Sequence, residues 1–250
     1  MSENRERVHI EGGAKRVRTY FGGKLIADTK RLKLVWEVPY CPAYYFPRKD
    51  VRRDVLAQNG HTQHSPSRGD AHYFTVKVGD RQTEDAAWHC PESPVEELRD
   101  LIRFEWNAMD GWFEEDEEVF VHPHDPYTRI DILHSSRHVE VKVNGVKIAD
   151  THRPTMLFET RLPARYYIPK LDVRMDLLIP TDTVTGCAYK GFAQYWSVNT
   201  GSQIVKDLAW SYKTPLPENG KIAGLIAFYN ERADFIVDGE PQARPKTKFS

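Results

Sequence analysis

The run best equipped for chemistry is Thr183-Val184-Thr185-Gly186-Cys187-Ala188-Tyr189-Lys190-Gly191, a loop of small residues holding a thiol, a phenol and an ammonium. A nearby ammonium favours the thiolate, the form that attacks electrophiles or enters redox exchange, so Cys187 is a candidate nucleophile or redox thiol. The competing reading is a small packed hydrophobe. Lys190 and Gly191 offer a different chemistry, because glycine lets backbone approach closely an anion that lysine attracts. Glu159 ends an apolar strand, where a carboxylate needs a partner, and is a candidate orienter or base. Arg174 is the expected partner for it and, with Lys190, for a ligand anion. Tyr166 and Tyr195 would wall the site, and Tyr167, Asp172 and Tyr189 complete the expected lining.

These residues have counterparts earlier in the chain. A shift of 122 positions aligns Val17–Trp88 with Val139–Trp210 without a gap, with about 24 identities over roughly 75 positions. Chance would give about one in sixteen, so the chain is an internal duplication. Glu37, Tyr44, Asp50, Arg52 and Arg68 occupy the places of Glu159, Tyr166, Asp172, Arg174 and Lys190. Ser65 stands where the second copy has Cys187, which places any thiol chemistry in the second copy. Asp50, Arg52 and Asp54 share one face of an extended segment, with Val51 on the other. That row reads either as an anion clamp or as a salt-bridged turn that fastens a sheet. Trp88 and Trp210 read as core residues. His61, His64 and His72 lack a confirming fourth ligand, so no metal site is assigned. No cofactor is implied.

The elements that must position these residues are strands. Gly22-Gly23 and Asn144-Gly145 each sit between alternating segments and predict tight hairpins. Further strands are expected at 32–38, 72–78 and 82–88 and at their counterparts. Ser93 can cap a helix over Pro94–Asn107, with Leu98, Leu101, Ile102 and Trp106 at helical spacing. A shorter helix is expected near Lys221–Tyr229. The fold class is therefore mainly β: two tandem, homologous, small antiparallel domains with a short helix in each. The expected divisions are an N-terminal tail over 1–15, a first domain over 16–110, a linker over 111–137 with an exposed acidic run at Glu114–Glu118, a second domain over 138–240, and a tail over 241–250.

Composition narrows the function classes. With 40% hydrophobic and 28% charged residues the chain is globular, and a net charge of −1 gives no global field for nucleic acid or an anionic membrane. The three cysteines, Cys41, Cys90 and Cys187, form no Cys-x-x-Cys pair and suggest a reducing, cytoplasmic setting. The opening residues lack the apolar core of a signal peptide. No dinucleotide-binding glycine fingerprint, Walker loop or nucleophile elbow is present.

The strings Gly-x-x-Ile-Ala-Asp-Thr, Tyr-Tyr-x-Pro-x-x-Asp-Val-Arg and Cys187-x-Tyr189-Lys190-Gly191-x-Ala193-x-Tyr195-Trp196 resemble the bacterial and fungal DUF427 family, in tandem form. The resemblance covers nearly the whole chain. It implies a compact, tent-like β fold and brings no established activity. A nucleotidyltransferase-like label attached to the family finds no support in Gly201-Ser202, which leads into Gln203-Ile204-Val205-Lys206 without the paired aspartates that such enzymes use. Three functions remain: a binder of a small anionic metabolite in a polar pocket of the second domain, an enzyme using Cys187, and a structural or interaction module.

Overall fold

The computed structural model describes residues 8–39, 41–247 and 249–250. The chain divides into two compact units, Met1–Asp125 and Pro126–Ser250. The first seven residues of the expected N-terminal tail lie outside the described residues.

In the first unit the strands are β1 (His9–Gly12), β2 (Val17–Phe21), β3 (Lys24–Thr29), β4 (Lys33–Val38), β5 (Cys41–Pro47), β6 (Leu56–Ser65), β7 (Gly69–Val78), β8 (Arg81–His89), β9 (Leu101–Phe104), β10 (Gly111–Glu114) and β11 (Glu117–Glu118). They make a large sheet in the order β1-β4-β5-β9-β8-β7-β6 and a small one in the order β11-β10-β2-β3. The second unit has β12 (Ile130–His134), β13 (Val139–Val143), β14 (Val146–Thr151), β15 (Thr155–Glu159), β16 (Arg165–Tyr167), β17 (Leu178–Cys187), β18 (Gly191–Asn199), β19 (Ile204–Tyr212), β20 (Ala227–Phe228), β21 (Asp234–Val237) and β22 (Glu240–Pro241). Here the large sheet is divided into β12-β15-β16 and β17-β18-β19-β20, and an Ile168–Ile226 bridge joins β16 to β20.

The copies agree to the level of register. Val17 pairs with Thr29 and Val139 with Thr151, and both hairpins carry an irregularity at the same step. Their turns need left-handed backbone at two successive residues, and Gly22 and Gly23 (φ 57° and 69°) and Asn144 and Gly145 (φ 49° and 79°) supply it. Asp85 (φ 54°) and Asp207 (φ 48°) adopt the same unusual conformation on equivalent strands. Each carboxylate reaches past the adjacent strand to the next one: Asp207 on β19 accepts from Thr181 and Thr183 on β17, and Asp85 on β8 accepts from Asn59 and pairs with His61 on β6.

Alternation sorts side chains between two faces of the large sheet. On the inner face, Tyr44 and Phe46 of the large sheet share a core with Val17, Phe21 and Trp112 of the small sheet in the first unit. In the second, Tyr166 and Leu208 share one with Val139, Val141 and Phe235 of the small sheet. The outer face carries separate clusters. Tyr45 packs with Val35, Leu98 and Leu101, and Trp88 with Ala71 and Cys90. In the second unit Tyr167, Tyr195, Trp210, Tyr212 and Ile222 form one outer cluster.

The expected helices are absent. Pro94–Asn107 is a 3-10 turn at Glu96–Leu98, strand β9 and a second turn at Trp106–Ala108. Its leucines bury through alternation and turns, which imitates helical spacing over so short a stretch. Ser93 does bond a backbone N–H, that of Val95, but it closes a turn rather than capping a helix. Lys221–Tyr229 follows the same pattern, with a 3-10 segment at Pro217–Ile222 and then β20. The 111–137 segment, expected to be a connector, contains β10, which pairs with β2, and β12, which pairs with β15. Of the segment 241–250, expected to be a loose tail, Thr247 donates to Glu231 at 2.6 Å, and the Phe249 ring packs on Tyr229. Among the described residues no helix is long and apolar enough to cross a membrane.

His89 is 6% exposed, and its Nδ1 has no hydrogen-bond partner among the described residues. Burial first, then Arg48 and His72, lower its pKa from 6.5 to about 4. The unfolded chain therefore takes the proton first, so stability is whole above about pH 6.5 and falls as pH drops toward 4. Replacing His89 with Phe should flatten that part of the pH–stability curve in urea titrations. An unchanged slope would show that His89 is not its source.

Candidate functional site

Glu159 and Lys190 meet on the outer face of the second unit. Lys190 Nζ donates to Glu159 Oε2 at 2.5 Å, and the two side chains are only 9% and 11% exposed. Lys190 lies in the turn between β17 and β18, where Gly191 holds φ at 90°. A Cβ there would meet the backbone of Thr214 and Leu216 only at ordinary contact distance, so it is the left-handed conformation that calls for glycine. Leu216 N–H donates to the Lys190 carbonyl, and Asn219 Nδ2 to that of half-buried Tyr189, fastening the turn from outside.

Buried phenols lie near the pair, with Tyr167 and Tyr212 close enough to feel the Glu159 charge. Trp210 Nε1 donates to the Tyr167 hydroxyl at 3.3 Å, while Tyr195 links to Thr185 at 2.9 Å and to Tyr229 at 3.2 Å. Burial pushes the Tyr167, Tyr212 and Tyr229 hydroxyls well above the usual phenol range, which keeps them neutral. Cys187, half-buried, ends β17 directly opposite Gly191. Behind this group, Arg165 forms a buried bidentate pair with Glu231 at 2.6 and 2.7 Å, its guanidinium facing Trp210, Tyr229 and Phe249.

The first unit keeps the carboxylate and changes its partners. Glu37 accepts from Tyr45 at 2.5 Å and Arg103 at 2.5 Å, and pairs with Arg68 at 3.1 Å. The Arg103 guanidinium also lies 4.5 Å above the Trp88 ring. Arg103 sits opposite Trp88 on β9, where β20 places Ala227 opposite Trp210. The second unit regains a guanidinium near its tryptophan from Arg165, whose repeat counterpart is Ala43.

The structure brings together only part of the expected set. Glu159, Tyr167, Lys190, Gly191, Tyr195, Cys187 and Tyr189 belong to one region. Tyr166 does not, because alternation turns it to the inner core beside Phe235; Tyr44 likewise faces inward and donates to Glu114. Arg174, expected to partner Glu159, instead pairs with Asp176, and its backbone N–H bonds the Ile148 carbonyl. Asp172 accepts from Thr151 and Arg153. Asp50 and Arg52 repeat this with Thr29, Arg31 and Asp54. The Asp-Val-Arg-x-Asp row is thus a salt-bridged pair of 3-10 turns that pins buried Val51 and Val173 to the small sheet. Trp88 and Trp210 are buried as expected, at 8% and 6% exposure. His61 and His64 go to separate carboxylates, Asp85 and Asp70, and His72 faces His89. Two shallow depressions lie away from Lys190, one beside Tyr166, Phe235 and Pro245 and one among Arg16, Asp28, Lys30, Arg31 and Asp50.

A family model described as a domain of unknown function (DUF427), and labelled NTP_transf_9, matches residues 9–115 and again residues 131–239. The chain belongs to the DUF427 family, as two tandem copies. The matched DUF427 stretches begin at β1 and β12, the edge strands that precede the hairpin of each copy. No curated protein matches the chain. Gly201-Ser202 is the hairpin turn between β18 and β19.

Breaking the pair from one side leaves a charge without its partner, which costs about 3 kcal/mol or more when buried. Lys190→Met should destabilise the second unit by about that amount in urea titrations. Adding Glu159→Gln should recover most of the loss. Arg68→Met should cost less than half as much, because Arg103 still holds Glu37. Equal costs for Lys190→Met and Arg68→Met would contradict this difference between the copies.

Proposed function

We propose that the second DUF427 copy binds a small molecule bearing a carboxylate or phosphate on its outer face, at Lys190. The observation that carries this reading is the nearly buried Glu159–Lys190 pair in a phenol-lined region. An ammonium has three N–H donors and Glu159 takes one, so Lys190 keeps donors for an incoming anion. Tyr195 and the Thr185 hydroxyl supply neutral polar contacts. Trp210 and Tyr229, whose rings pack 4.5 Å apart, supply apolar surface, a mixture typical of ligand sites. Glu159 orients the ammonium. In the first copy Glu37 meets two guanidinium groups and a phenol at once, which leaves that copy the structural partner.

Thermal denaturation of the full chain against a panel of small carboxylates and phosphate esters tests this. At least one compound should raise the midpoint by several degrees, Lys190→Met should abolish the rise, and Arg174→Ala should leave it intact. A panel without effect, or stabilisation that survives Lys190→Met, would refute the reading.

A second reading uses Cys187 as a nucleophile. It is favoured by the position of Cys187, half-buried at the end of β17 opposite Gly191. Burial pushes the Cys41 and Cys90 thiols up, away from the reactive thiolate. Iodoacetamide near neutral pH should then label Cys187 well before the other two. Equal, slow labelling of all three would remove Cys187 as a nucleophile.

A further inference from the structure

Strands β13 and β14 frame a different group of polar side chains on the second unit. His138 Nε2 lies 2.8 Å from Asp150 Oδ1, and the His138 and His152 rings stack with centroids 4.1 Å apart. One ligand atom from each of His138, Asp150 and His152 lies within 4.8 Å of the others. The same three repeat positions in the first unit hold Arg16, Asp28 and Lys30. There Arg16 grips Asp28 through Nε at 2.7 Å and through a second bond from Nη2. Lys30 lines the same shallow depression, along with Arg31 and Asp50.

Both copies thus set nitrogen groups around one carboxylate, but of opposite coordinating character. Guanidinium and ammonium groups only donate, whereas each imidazole can present a lone pair to a metal. We infer that His138, Asp150 and His152 bind a divalent transition-metal ion of the Zn2+ or Ni2+ type. Two imidazole nitrogens and one carboxylate oxygen suit such borderline ions, and Mg2+ and Ca2+, which require oxygen ligands, are disfavoured. The ion takes the place of the proton between His138 and Asp150, and supplies the positive charge that Arg16 gives Asp28. Lys147 is the built-in competitor, with Nζ 2.7 Å from Asp150 Oδ2. It also reaches Glu140 at 2.8 Å, which can hold it when the ion enters.

Isothermal titration of the full chain with zinc chloride tests the site. One ion per chain should bind saturably, and magnesium chloride should give no binding. The His138→Arg and His152→Lys pair of substitutions installs the first copy's arrangement, so the hairpin should fold as it does there. That double variant should weaken zinc binding at least tenfold, while Lys147→Gln should tighten it. Zinc bound as strongly by the double variant as by the parent chain would overturn the assignment, as would a parent chain that takes up no zinc or a Lys147→Gln variant that binds it more weakly.

Discussion

A carboxylate on the outer face of the large sheet must find a cation, and much of each copy's architecture answers that demand. Glu37 and Glu159 lie in the last two residues of strands that are otherwise largely apolar and buried. Such a charge is tolerated only when paired and hydrogen-bonded. The cation comes from the turn before β7 or β18, at Arg68 or Lys190. That turn exists because Gly69 and Gly191 adopt φ of 79° and 90° under a covering segment, Glu92–Pro94 in one copy and Thr214–Leu216 in the other. The neighbouring Tyr–Tyr pair completes the arrangement by alternation, one ring to each face of the sheet.

The two copies meet this demand with different side chains. In the first, two arginines and Tyr45 converge on Glu37, and Arg103 also covers Trp88. In the second, Ala227 replaces that arginine, a single lysine serves Glu159, and Arg165 approaches Trp210 from another strand with Glu231 as its own partner. The exchange leaves the first copy with a saturated carboxylate and the second with an ammonium that has donors to spare. Duplication supplied two equal frames, and divergence at a few positions made them chemically unequal.

Much of this frame was legible in the residues. The 122-residue offset located both hairpins and both tryptophans, because identical residues at equal offsets answer to identical backbone environments. Glu159 was recognisable for the same reason, and Lys190 from the chemistry of its own loop, where the first copy has Arg68. Arg174 misled, because an exposed Arg-x-Asp row in a turn finds partners within its own segment, Asp176 here, before any distant one. Tyr166 misled because a Tyr–Tyr dipeptide does not say which ring faces which side. Arg165 and Arg103 were missed because each faces alanine at its equivalent place, and a comparison of shared residues passes over a function that has moved between strands. The apparent helix at Pro94–Asn107 reflects buried residues spaced by a turn, a short strand and another turn, which four leucine, isoleucine and tryptophan positions cannot distinguish from a helical stripe.

Glu159 holds Lys190 out of bulk water. Proton–nitrogen NMR of the lysine side-chain ammonium groups addresses this directly, since only an ammonium shielded and hydrogen-bonded keeps its protons long enough to be observed near neutral pH. A persistent Lys190 signal that disappears in Glu159→Gln is the predicted result. A Lys190 ammonium exchanging as fast as those of exposed lysines such as Lys24, in the unaltered chain, would contradict the account.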